Sequence, residues 1–419
     1  MYLISNNVSE CTGCGACVAV CAHNALTMVE EKDGFIVPVK DTDRCINCAL
    51  CERICPVAFP NYSNSKEPQT YAAYDPKERK RSSSGGVFYS IAKYVINKKG
   101  IVFGAAFDEN LMLRHIGVDK LNDLEKLRGS KYVQSRTEVC YKEVLSNLKN
   151  DRLVYFAGTP CQVAGLKAFL RKQYTNLITS DLVCHGVPSQ RLFNSHLEYL
   201  SPKNGSKVTD YSFRDTKYWF IRELAQYADK RKSIEYDGNQ SPYLYAFGLG
   251  LCYRESCYDC KFACLPRQGD ITLADYWGIG KQHPEIDDRG GVSMMFVNSS
   301  KGMYVINSIK NELILTESTL EKCTEYNPNA IHPSKRPVNR DEIMAQLRAQ
   351  SYSEVVEQYF QCPESMRDKC IEKSMRLRKL GIMQMLDWAK LIMKRVIAYL
   401  GINNSAYVAY ARLRKLLKL

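Results

Sequence analysis

The chain has 419 residues, of which 45% are hydrophobic and 18 are cysteine, and a formal net charge of +13 from 58 Lys and Arg against 45 Asp and Glu. Its 25% charged and 11% aromatic residues are typical of a globular protein of about two to four domains and argue against disorder. A mean hydropathy of −0.32 and the lack of an uncharged apolar run of about 20 residues argue against a membrane span. The N-terminus shows no secretory signal, so we expect a reducing compartment without disulfides.

Two cysteine runs of identical spacing, C-x2-C-x2-C-x3-C, lie near the N-terminus, the second 34 residues after the first. Two-cluster ferredoxins have this spacing, and in them the fourth cysteine of each run ligates the cluster of the other run. The repeat predicts two 4Fe-4S centres, whose ligands are Cys11, Cys14, Cys17 and Cys55 for the first and Cys45, Cys48, Cys51 and Cys21 for the second. Zinc, which normally takes two C-x2-C pairs, is the less favoured alternative.

The order of predicted elements after this repeat indicates an α+β or α/β fold with a mixed sheet. Residues 57–68, rich in Pro, Ser and Asn, are predicted to be a linker. Strands are predicted over 71–74, 101–107, 111–118, 153–157, 177–183, 208–213, 271–276 and 292–298, and helices over 87–96 and 138–148. The predicted division is a ferredoxin-like module at 1–60, two parts of one larger module at 70–150 and 151–330, and a helical tail at 331–419.

Two polar loops of the larger module are candidate binding elements. Residues 82–86, Ser-Ser-Ser-Gly-Gly, precede a helix, and their hydroxyl and backbone N–H groups could hold a phosphate or pyrophosphate. An ordinary helix cap would give the same pattern. Residues 128–135 contain Lys131, which either stabilises negative charge on a redox ring or is a solvated loop lysine. From the spacing alone, the solvated loop lysine is the favoured interpretation.

A third cysteine group lies far downstream, with the spacing C-x4-C-x2-C-x3-C, and consists of Cys252, Cys257, Cys260 and Cys264. This spacing suits one metal centre, iron–sulfur or zinc. Cys161 and Cys184 are alternative ligands of this centre, because each follows a predicted strand. Cys161 also falls in the first turn of a predicted helix, where a thiolate is favoured. Taken singly, each is more often a small buried hydrophobe.

The C-terminal segment accounts for most of the basic surplus. Residues 366–419 hold 13 Lys and Arg against 3 Asp and Glu, a surplus of +10. The stretch 382–400 is amphipathic, and the charge of Asp387 within it argues against a spanning helix. Binding to an anionic membrane face and packing on the chain itself or on a partner protein are both open. Nucleic acid is not expected, because no recognition motif accompanies the basic residues.

Six ordered motifs follow the ferredoxin repeat: 83–86, 129–132, 158–162, 184–186, 256–260 and 270–278. With them, the chain over about residues 1–330 resembles the coenzyme F-420 hydrogenase/dehydrogenase beta-subunit family. The resemblance implies a flavoprotein that binds FAD beside a 4Fe-4S cluster. It also implies exchange between one-electron clusters and a two-electron acceptor, which in prototype members is the deazaflavin F-420.

The resemblance also implies roles for individual residues. It implies that Cys161, Cys184, Cys257 and Cys260 ligate a third 4Fe-4S cluster, and that the flavin contacts are Ser83, Ser84, Gly85, Gly86, Ser130, Lys131, Tyr132 and Thr159. Catalytic candidates are Lys131, His185 and Asp275, with Tyr276 as a further general acid. Two departures are notable: Ala274 replaces the usual Gly, and Cys252 and Cys264 exceed the family's cysteine set, so either could replace Cys161 or Cys184.

We therefore expect a cytoplasmic iron–sulfur flavin-dependent oxidoreductase. Electrons would pass between a soluble ferredoxin, the clusters, FAD and F-420 or another small-molecule acceptor, in either direction. One alternative is an electron-transfer subunit without a substrate site, serving a partner redox enzyme in membrane-associated polysaccharide or lipid-linked metabolism. Another is a zinc-stabilised scaffold. No hydrogenase metal motif is present, so hydrogen activation is not expected. If the tail binds lipid, we expect a peripheral position on the inner face of the membrane.

Overall fold

The cysteine-rich N-terminal module is built on one antiparallel strand pair in this computed structural model, which describes residues 1–201, 206–215, 220–228, 233–286 and 290–363. Its elements are α1 (Tyr2–Ser5), a 3-10 turn (Val8–Glu10), α2 (Ala16–Val20), β1 (Leu26–Glu30), β2 (Ile36–Lys40) and α3 (Leu50–Arg53). Both cysteine loops therefore lie beside a short helix, as the predicted ferredoxin-like module requires.

The larger module begins with β3 and alternates strands with helices. In chain order its first elements are β3 (Gln69–Tyr74), α4 (Val87–Asn97), β4 (Ile101–Phe107), β5 (Leu113–Val118), α5 (Cys140–Lys149), β6 (Val154–Gly158), α6 (Pro160–Leu170), β7 (Leu177–Leu182) and α7 (Gln190–Leu200). The rest are β8 (Val208–Asp215), β9 (Phe220–Tyr227), β10 (Ser233–Asp237), α8 (Pro242–Gly248), β11 (Ile271–Asp275), α9 (Ile279–Gln282), β12 (Ser293–Val297), α10 (Ser300–Ile309), β13 (Ile314–Glu317), α11 (Leu320–Glu325), α12 (Arg340–Ala349) and α13 (Tyr352–Tyr359).

Eight of these strands form the central sheet, in the order β13-β3-β12-β11-β7-β6-β4-β5. The inner strands β11, β7, β6 and β4 are parallel, and the outer strands pair antiparallel to their neighbours. The mixed-sheet fold predicted from the sequence is confirmed. Since strands from 70–150 and from 151–330 share this sheet, the two predicted parts form one layer. The carboxyl ends of β6, β7 and β11 meet at one edge, which is where open α/β sheets bind ligands.

Helices cover both faces of the central sheet. On one face α4 and α10 bury an apolar stripe against the strands, and Val87, Ile91 and Val95 of α4 recur at helical spacing. On the other face α5 and α6 pack on β4 and β6. The N-terminal module adds Ala16 and Ala19 of α2 to that second core, so α6 is apolar around most of its surface. The cysteine module and the sheet thus share one hydrophobic core.

A second, three-stranded antiparallel sheet, β10-β9-β8, packs beside α7 and α8 and is called the small sheet below. Strands β9, β10 and β13 were not predicted from the sequence. The tail at 366–419, its amphipathic stretch 382–400 and Cys370 lie outside the described residues. Among the helices that are described, none combines the length and the apolar character needed to cross a membrane.

Candidate iron–sulfur and flavin site

Four cysteines from three separate loops meet at the carboxyl edge of the central sheet. Cys161 lies in the first turn of α6, just after β6, and Cys184 lies two residues after β7. Cys257 and Cys260 lie in the loop between α8 and β11. Desolvation and the neighbouring thiols Cys161 and Cys260 raise the pKa of Cys184 to about 12. Desolvation, followed by Cys184, Cys260 and Cys161, likewise raises the pKa of Cys257. The four thiols therefore lie near one another at this edge.

The two additional cysteines of the downstream group lie apart from these four. Cys252 is buried in the core beneath the small sheet, where desolvation raises its pKa to about 12 and Arg340 opposes the shift. The predicted ligand role of Cys252 does not fit this position, because its side chain is part of an aromatic core. The thiol of Cys264 donates to the carbonyl of Lys261 at 3.2 Å and lies near Tyr62.

The donor set of the four cysteines fits an iron–sulfur centre. All four donors are sulfur, and Cys161 lies in the first turn of α6, whose exposed N–H groups favour negative charge. Positive charge is supplied by Arg254 near Cys161 and by Arg267 near Cys184. A cubane spreads its thiolates over four iron atoms, one per iron. In the ranges that the structure describes, no three Cys, His, Asp or Glu side chains are grouped closely enough to hold a single metal ion.

The first N-terminal cysteine run also comes together in the structure. Cys11, Cys14, Cys17 and Cys55 line one cavity, together with Cys51. Desolvation raises the pKa of Cys14 to about 12, with Cys11 and Cys55 adding to the shift. This grouping is the ligand set predicted for the first centre, and it is called the first centre below. Gly13 and Gly15 make the tight loop possible, since both adopt left-handed backbone angles, φ 67° and φ 74°.

The second cysteine run lies nearer to solvent. Cys48 is exposed, and Cys51 is close enough to Cys48 for the two thiols to influence each other's ionisation. The backbone N–H of Asn47 donates to the sulfur of Cys45 at 3.4 Å, and that of Ala25 donates to Cys21 at 3.3 Å. Cys21, Cys45, Cys48 and Cys51 are called the second centre below.

The two polar loops singled out in the sequence lie side by side at the same edge of the sheet. The backbone N–H of Ser130 donates to Ser83 Oγ at 2.9 Å. Gly85 lies so close to β3 that an added Cβ would be 2.3 Å from the carbonyl oxygen of Ala73. Gly86 begins α4 in a left-handed conformation, φ 86°. The loops therefore bring hydroxyl and N–H groups to the start of a helix, the arrangement that suits a phosphate.

Gly129 leaves one side of these loops, called the flavin cradle below, open to solvent. It has φ 88°, and an added Cβ would meet no atom within 4 Å. Beside it, Lys131 Nζ donates to the carbonyls of Arg128 and Gly129 at 2.9 and 3.2 Å. Desolvation lowers the pKa of Lys131 to about 7, so the ammonium is easily lost near neutral pH. This combination of open space, hydroxyls and a titratable cation fits the FAD group that the sequence resemblance implies.

Arg214 of β8 connects the two loops to the end of β11, a role that was not predicted from the sequence. Its Nη1 donates to Asp275 Oδ2 at 2.7 Å and to Tyr132 Oη at 3.3 Å, and its Nη2 donates to the carbonyl of Ser83 at 2.8 Å. The guanidinium also lies over the ring of Trp277, 6.0 Å from its centroid. In the sequence, Arg214 is only a charged residue at the end of a predicted strand, so no motif identifies it.

Three further residues that the sequence singled out, His185, Thr159 and Tyr276, lie at different places. His185 is near Asp275, and desolvation lowers the pKa of His185 while Asp275 opposes the shift. Thr159 caps α6 and directs its hydroxyl at Cys161 Sγ, 3.2 Å away, so it supports the cysteine site. Tyr276 lies on the other side of the strand end, buried, with its hydroxyl bonded to Ser318 Oγ at 2.7 Å. The position of Tyr276 does not fit a general acid at the flavin.

Comparison with known families agrees with the sequence resemblance. Residues 151–322 match the family described as the C terminus of the coenzyme F420 hydrogenase/dehydrogenase beta subunit. Residues 10–59 match the 4Fe-4S dicluster domain family. The sequence resemblance is thereby confirmed over residues 151–322, and residues 10–59 have the character of a 4Fe-4S dicluster domain.

Individual relatives are remote. Among curated proteins no match is found. Among solved structures, the chain is similar to one chain of the F420-reducing NiFe hydrogenase complex from Methanosarcina barkeri, in a xenon derivative. The two are 16% identical with a TM-score of 0.41, and the match covers 70% of this chain and 92% of the other.

Proposed function

We propose that this chain, which carries a 4Fe-4S dicluster domain and the C-terminal domain of the coenzyme F420 hydrogenase/dehydrogenase beta subunit, is an iron–sulfur flavoprotein oxidoreductase. It would convert between one-electron transfer, through three 4Fe-4S clusters, and two-electron transfer, through FAD to F-420 or another small acceptor. One observation carries this proposal: four thiols meet at the sheet edge between the first centre and the two loops around Lys131.

The residues of the flavin cradle have separate tasks in this proposal. Ser83, Ser84 and the backbone of Gly86 would bind the pyrophosphate, because they lie at the start of α4. Gly85 would hold the loop in place, because its N–H donates to Ser293 Oγ at 3.0 Å. Arg214 would fix the position of the Ser83 loop through the Ser83 carbonyl. FAD, when bound, supplies the ability to take electrons singly and to deliver them as a pair.

Charge and protons beside the bound flavin would be controlled by three side chains, those of Lys131, His185 and Asp275. The ammonium of Lys131 would stabilise negative charge that develops beside it. The partly buried Asp275 carboxylate forms an ion pair with the buried guanidinium of Arg214. Asp275 in turn favours the protonated form of His185. The imidazole of His185, whose pKa desolvation lowers overall, would accept a proton and pass it to a bound acceptor.

The proposal is tested on protein purified without oxygen. We expect iron and sulfide for three clusters, about 12 of each per chain, and FAD released on denaturation. Reduced ferredoxin should then drive the reduction of F-420. A colourless protein with zinc, or one without flavin, would contradict the flavoprotein assignment. Iron and flavin together with no turnover of F-420 or any other small acceptor would instead support the alternative function, an electron-transfer subunit that serves a partner redox enzyme.

An external redox partner would meet the second centre. Cys48 is exposed there, and so are the neighbouring apolar side chains of Ile46 and Phe59, 62% and 64% accessible. Exposed apolar groups around a redox centre suit a transient complex with a soluble ferredoxin or a partner enzyme. Chemical shift or cross-linking experiments with a ferredoxin should therefore place the contact at this surface.

The basic segment 366–419 would contact either an anionic membrane or a partner protein. Flotation with anionic and with neutral vesicles separates these possibilities, in comparison with a chain that ends at residue 365. Binding of the full chain to anionic vesicles alone, lost on truncation, would support the membrane contact. Equal flotation of the two proteins would leave the partner protein as the favoured contact.

A further inference from the structure

We infer that the contact between Cys14 and Gly165 is the electron-transfer junction between the first centre and the third centre, formed by Cys161, Cys184, Cys257 and Cys260, and that Arg254 is the positioning residue that holds it. This inference rests on the proposed function, since it assumes that both sets of thiols hold clusters. It adds an order: the second centre receives electrons from outside, and the first centre passes them to the third.

Gly165 allows a close approach between the two modules. A Cβ added there would lie 2.9 Å from Cys14 Cβ, 3.0 Å from Cys14 Sγ and 2.9 Å from Tyr141 Oη. Cβ atoms in proteins do not come so close to other heavy atoms, so only glycine permits this packing. The backbone of α6 is consequently in direct contact with a ligand of the first centre.

The same helix carries a ligand of the third centre. Cys161 lies in the first turn of α6, and Gly165 follows it by four residues on the same side of the helix. Four residues of α-helix rise about 6 Å. The two clusters would thus be separated by little more than one helical turn.

Three side chains of the larger module hold the first cysteine loop in this position. Arg254 Nε donates to the carbonyl of Cys11 at 2.6 Å, Gln134 Nε2 donates to that of Thr12 at 3.0 Å, and Thr137 Oγ1 donates to that of Cys14 at 2.8 Å. Hydrogen bonds at three neighbouring carbonyls fix both the position and the orientation of the loop.

Arg254 differs from the other two residues because its backbone is also hydrogen-bonded to the loops that carry the cysteines of the third centre. Its backbone N–H donates to the carbonyl of Val187, three residues after Cys184, at 2.9 Å. Its own carbonyl accepts from the N–H of Cys257 at 2.9 Å. The side chain is 2% exposed, and a guanidinium stays charged at any physiological pH. One residue therefore connects the loops of both centres and places a permanent positive charge beside them.

The transfer step moves one electron. The first centre is oxidised by one electron and the third centre is reduced by one, and no bond or proton changes place. The reductant is a one-electron donor protein, which reduces the second centre. A buried positive charge stabilises the reduced state of a neighbouring cluster, so Arg254 should raise the reduction potential of both centres that it joins.

The junction is tested with Gly165→Ala in the full-length protein, loaded with all clusters. The magnetic interaction between the reduced first and third centres is read by EPR, and the arrival of the electron at the third centre by rapid freezing after mixing with dithionite. We expect a weaker interaction and a rate at least about tenfold lower, because the added methyl group must push Cys14 away. Gly248→Ala is the matched control, since an added Cβ at this helical glycine meets no atom within 4 Å.

If Gly165→Ala does not fold, Thr137→Val removes one carbonyl contact without adding bulk and should lower the rate in the same direction. An unchanged interaction and rate in the variant that folds, at full iron content, would overturn the junction. An equal loss in Gly248→Ala would overturn it as well.

The role of Arg254 is tested by two variants that separate charge from geometry. Arg254→Gln should lower the reduction potentials of the first and third centres and leave that of the second centre unchanged. Arg254→Lys should retain the potentials, because the charge remains, and should lower only the transfer rate, because the Nε donor to the Cys11 carbonyl is lost. Unchanged potentials in Arg254→Gln would overturn this role.

Failure of this inference can be distinguished from failure of the proposed function. A wild-type protein with two clusters or without flavin would contradict the proposed function itself. A wild-type protein with three clusters and FAD, whose Gly165 and Arg254 variants behave like the wild type, would contradict only the junction.

Discussion

The buried guanidinium of Arg214 and the partly buried carboxylate of Asp275 form an ion pair, with Nη1 and Oδ2 2.7 Å apart, that joins the small sheet to the central sheet. Since Arg214 also donates to the carbonyl of Ser83, the pair determines where the Ser83 loop lies relative to the end of β11. The geometry of the proposed flavin cradle therefore depends on a contact between two sheets.

Arg214→Met should destabilise the protein by about 3–5 kcal/mol and weaken FAD binding at least about tenfold, because it leaves Asp275 partly buried without its cation. Denaturant unfolding and FAD titration of the apoprotein measure the two effects. Arg114→Met is the control, since Arg114 pairs with Asp108 at the surface and should cost no more than about 1 kcal/mol. Normal FAD affinity in Arg214→Met would contradict the role given to this pair.

Cys257→Ser should remove the third cluster and leave the other two, a loss of about a third of the iron. Iron and sulfide analysis of the purified variant gives the result directly. Cys252→Ala is the matched control in the same segment, because Cys252 lies in the aromatic core and should retain the full iron content. If instead Cys252→Ala loses the iron and Cys257→Ser keeps it, the ligand set is different from the one proposed.

FAD affinity should decrease as the pH rises through about 7, because Lys131 loses its positive charge there. Lys131→Arg should bind FAD with an affinity independent of pH in this range, and Lys131→Met should bind more weakly below about pH 7 and approach the wild type above it. Titration of the apoprotein at several pH values measures this. A pH dependence that persists in Lys131→Met would show that another group is responsible.

Lys131 should also make the free energy of unfolding depend on pH. Unlike FAD affinity, which should fall as the pH rises, this free energy should increase. Desolvation lowers the pKa of Lys131 from 10.5 to about 7, so between these values the unfolded chain binds more protons than the folded one. Stability of the wild type should therefore rise with pH in this window. Lys131→Met should reduce that rise, and the difference between the two unfolding curves measures it.

Asp181→Asn should unfold more easily by about 3–5 kcal/mol and lose iron from the third cluster. The Asp181 carboxylate is fully buried and accepts from the N–H groups of Gln268 and Gly269 at 2.9 and 3.1 Å, and it lies 3.5 Å from the buried guanidinium of Arg267. An amide cannot accept all of these bonds. Asp123→Asn, at an exposed salt bridge, should leave both stability and iron content unchanged.

The meeting of cysteines at the sheet edge could be predicted from the sequence because their positions follow from strand ends. Cys161 and Cys184 each come directly after a buried strand, and the carboxyl ends of parallel strands meet at one edge. The same reasoning does not hold for Tyr276, because successive residues at a strand end point to opposite sides. Asp275 therefore faces the crevice, while Tyr276 packs in the core.

Residues whose role depends on packing between distant segments could not be predicted. Arg214 reaches the site only because β8 of the small sheet lies beside the end of β11. Arg254 reaches Cys11 only because the N-terminal module packs on α6. Cys252 shares a spacing pattern with Cys257, yet its side chain is buried in a different core, since spacing along the chain does not determine the direction in which a side chain points.

The shared hydrophobic core of the N-terminal module and α6 has a kinetic consequence. Carrier domains that swing between donor and acceptor have turnover limited by diffusion of a tethered domain. Here Ala16, Ala19 and Ile54 are buried in the same core as Val163 and Leu166, so a swing would expose that apolar surface to water. Internal electron transfer should then be insensitive to solvent viscosity, and only the encounter with the external donor should slow in a viscous medium.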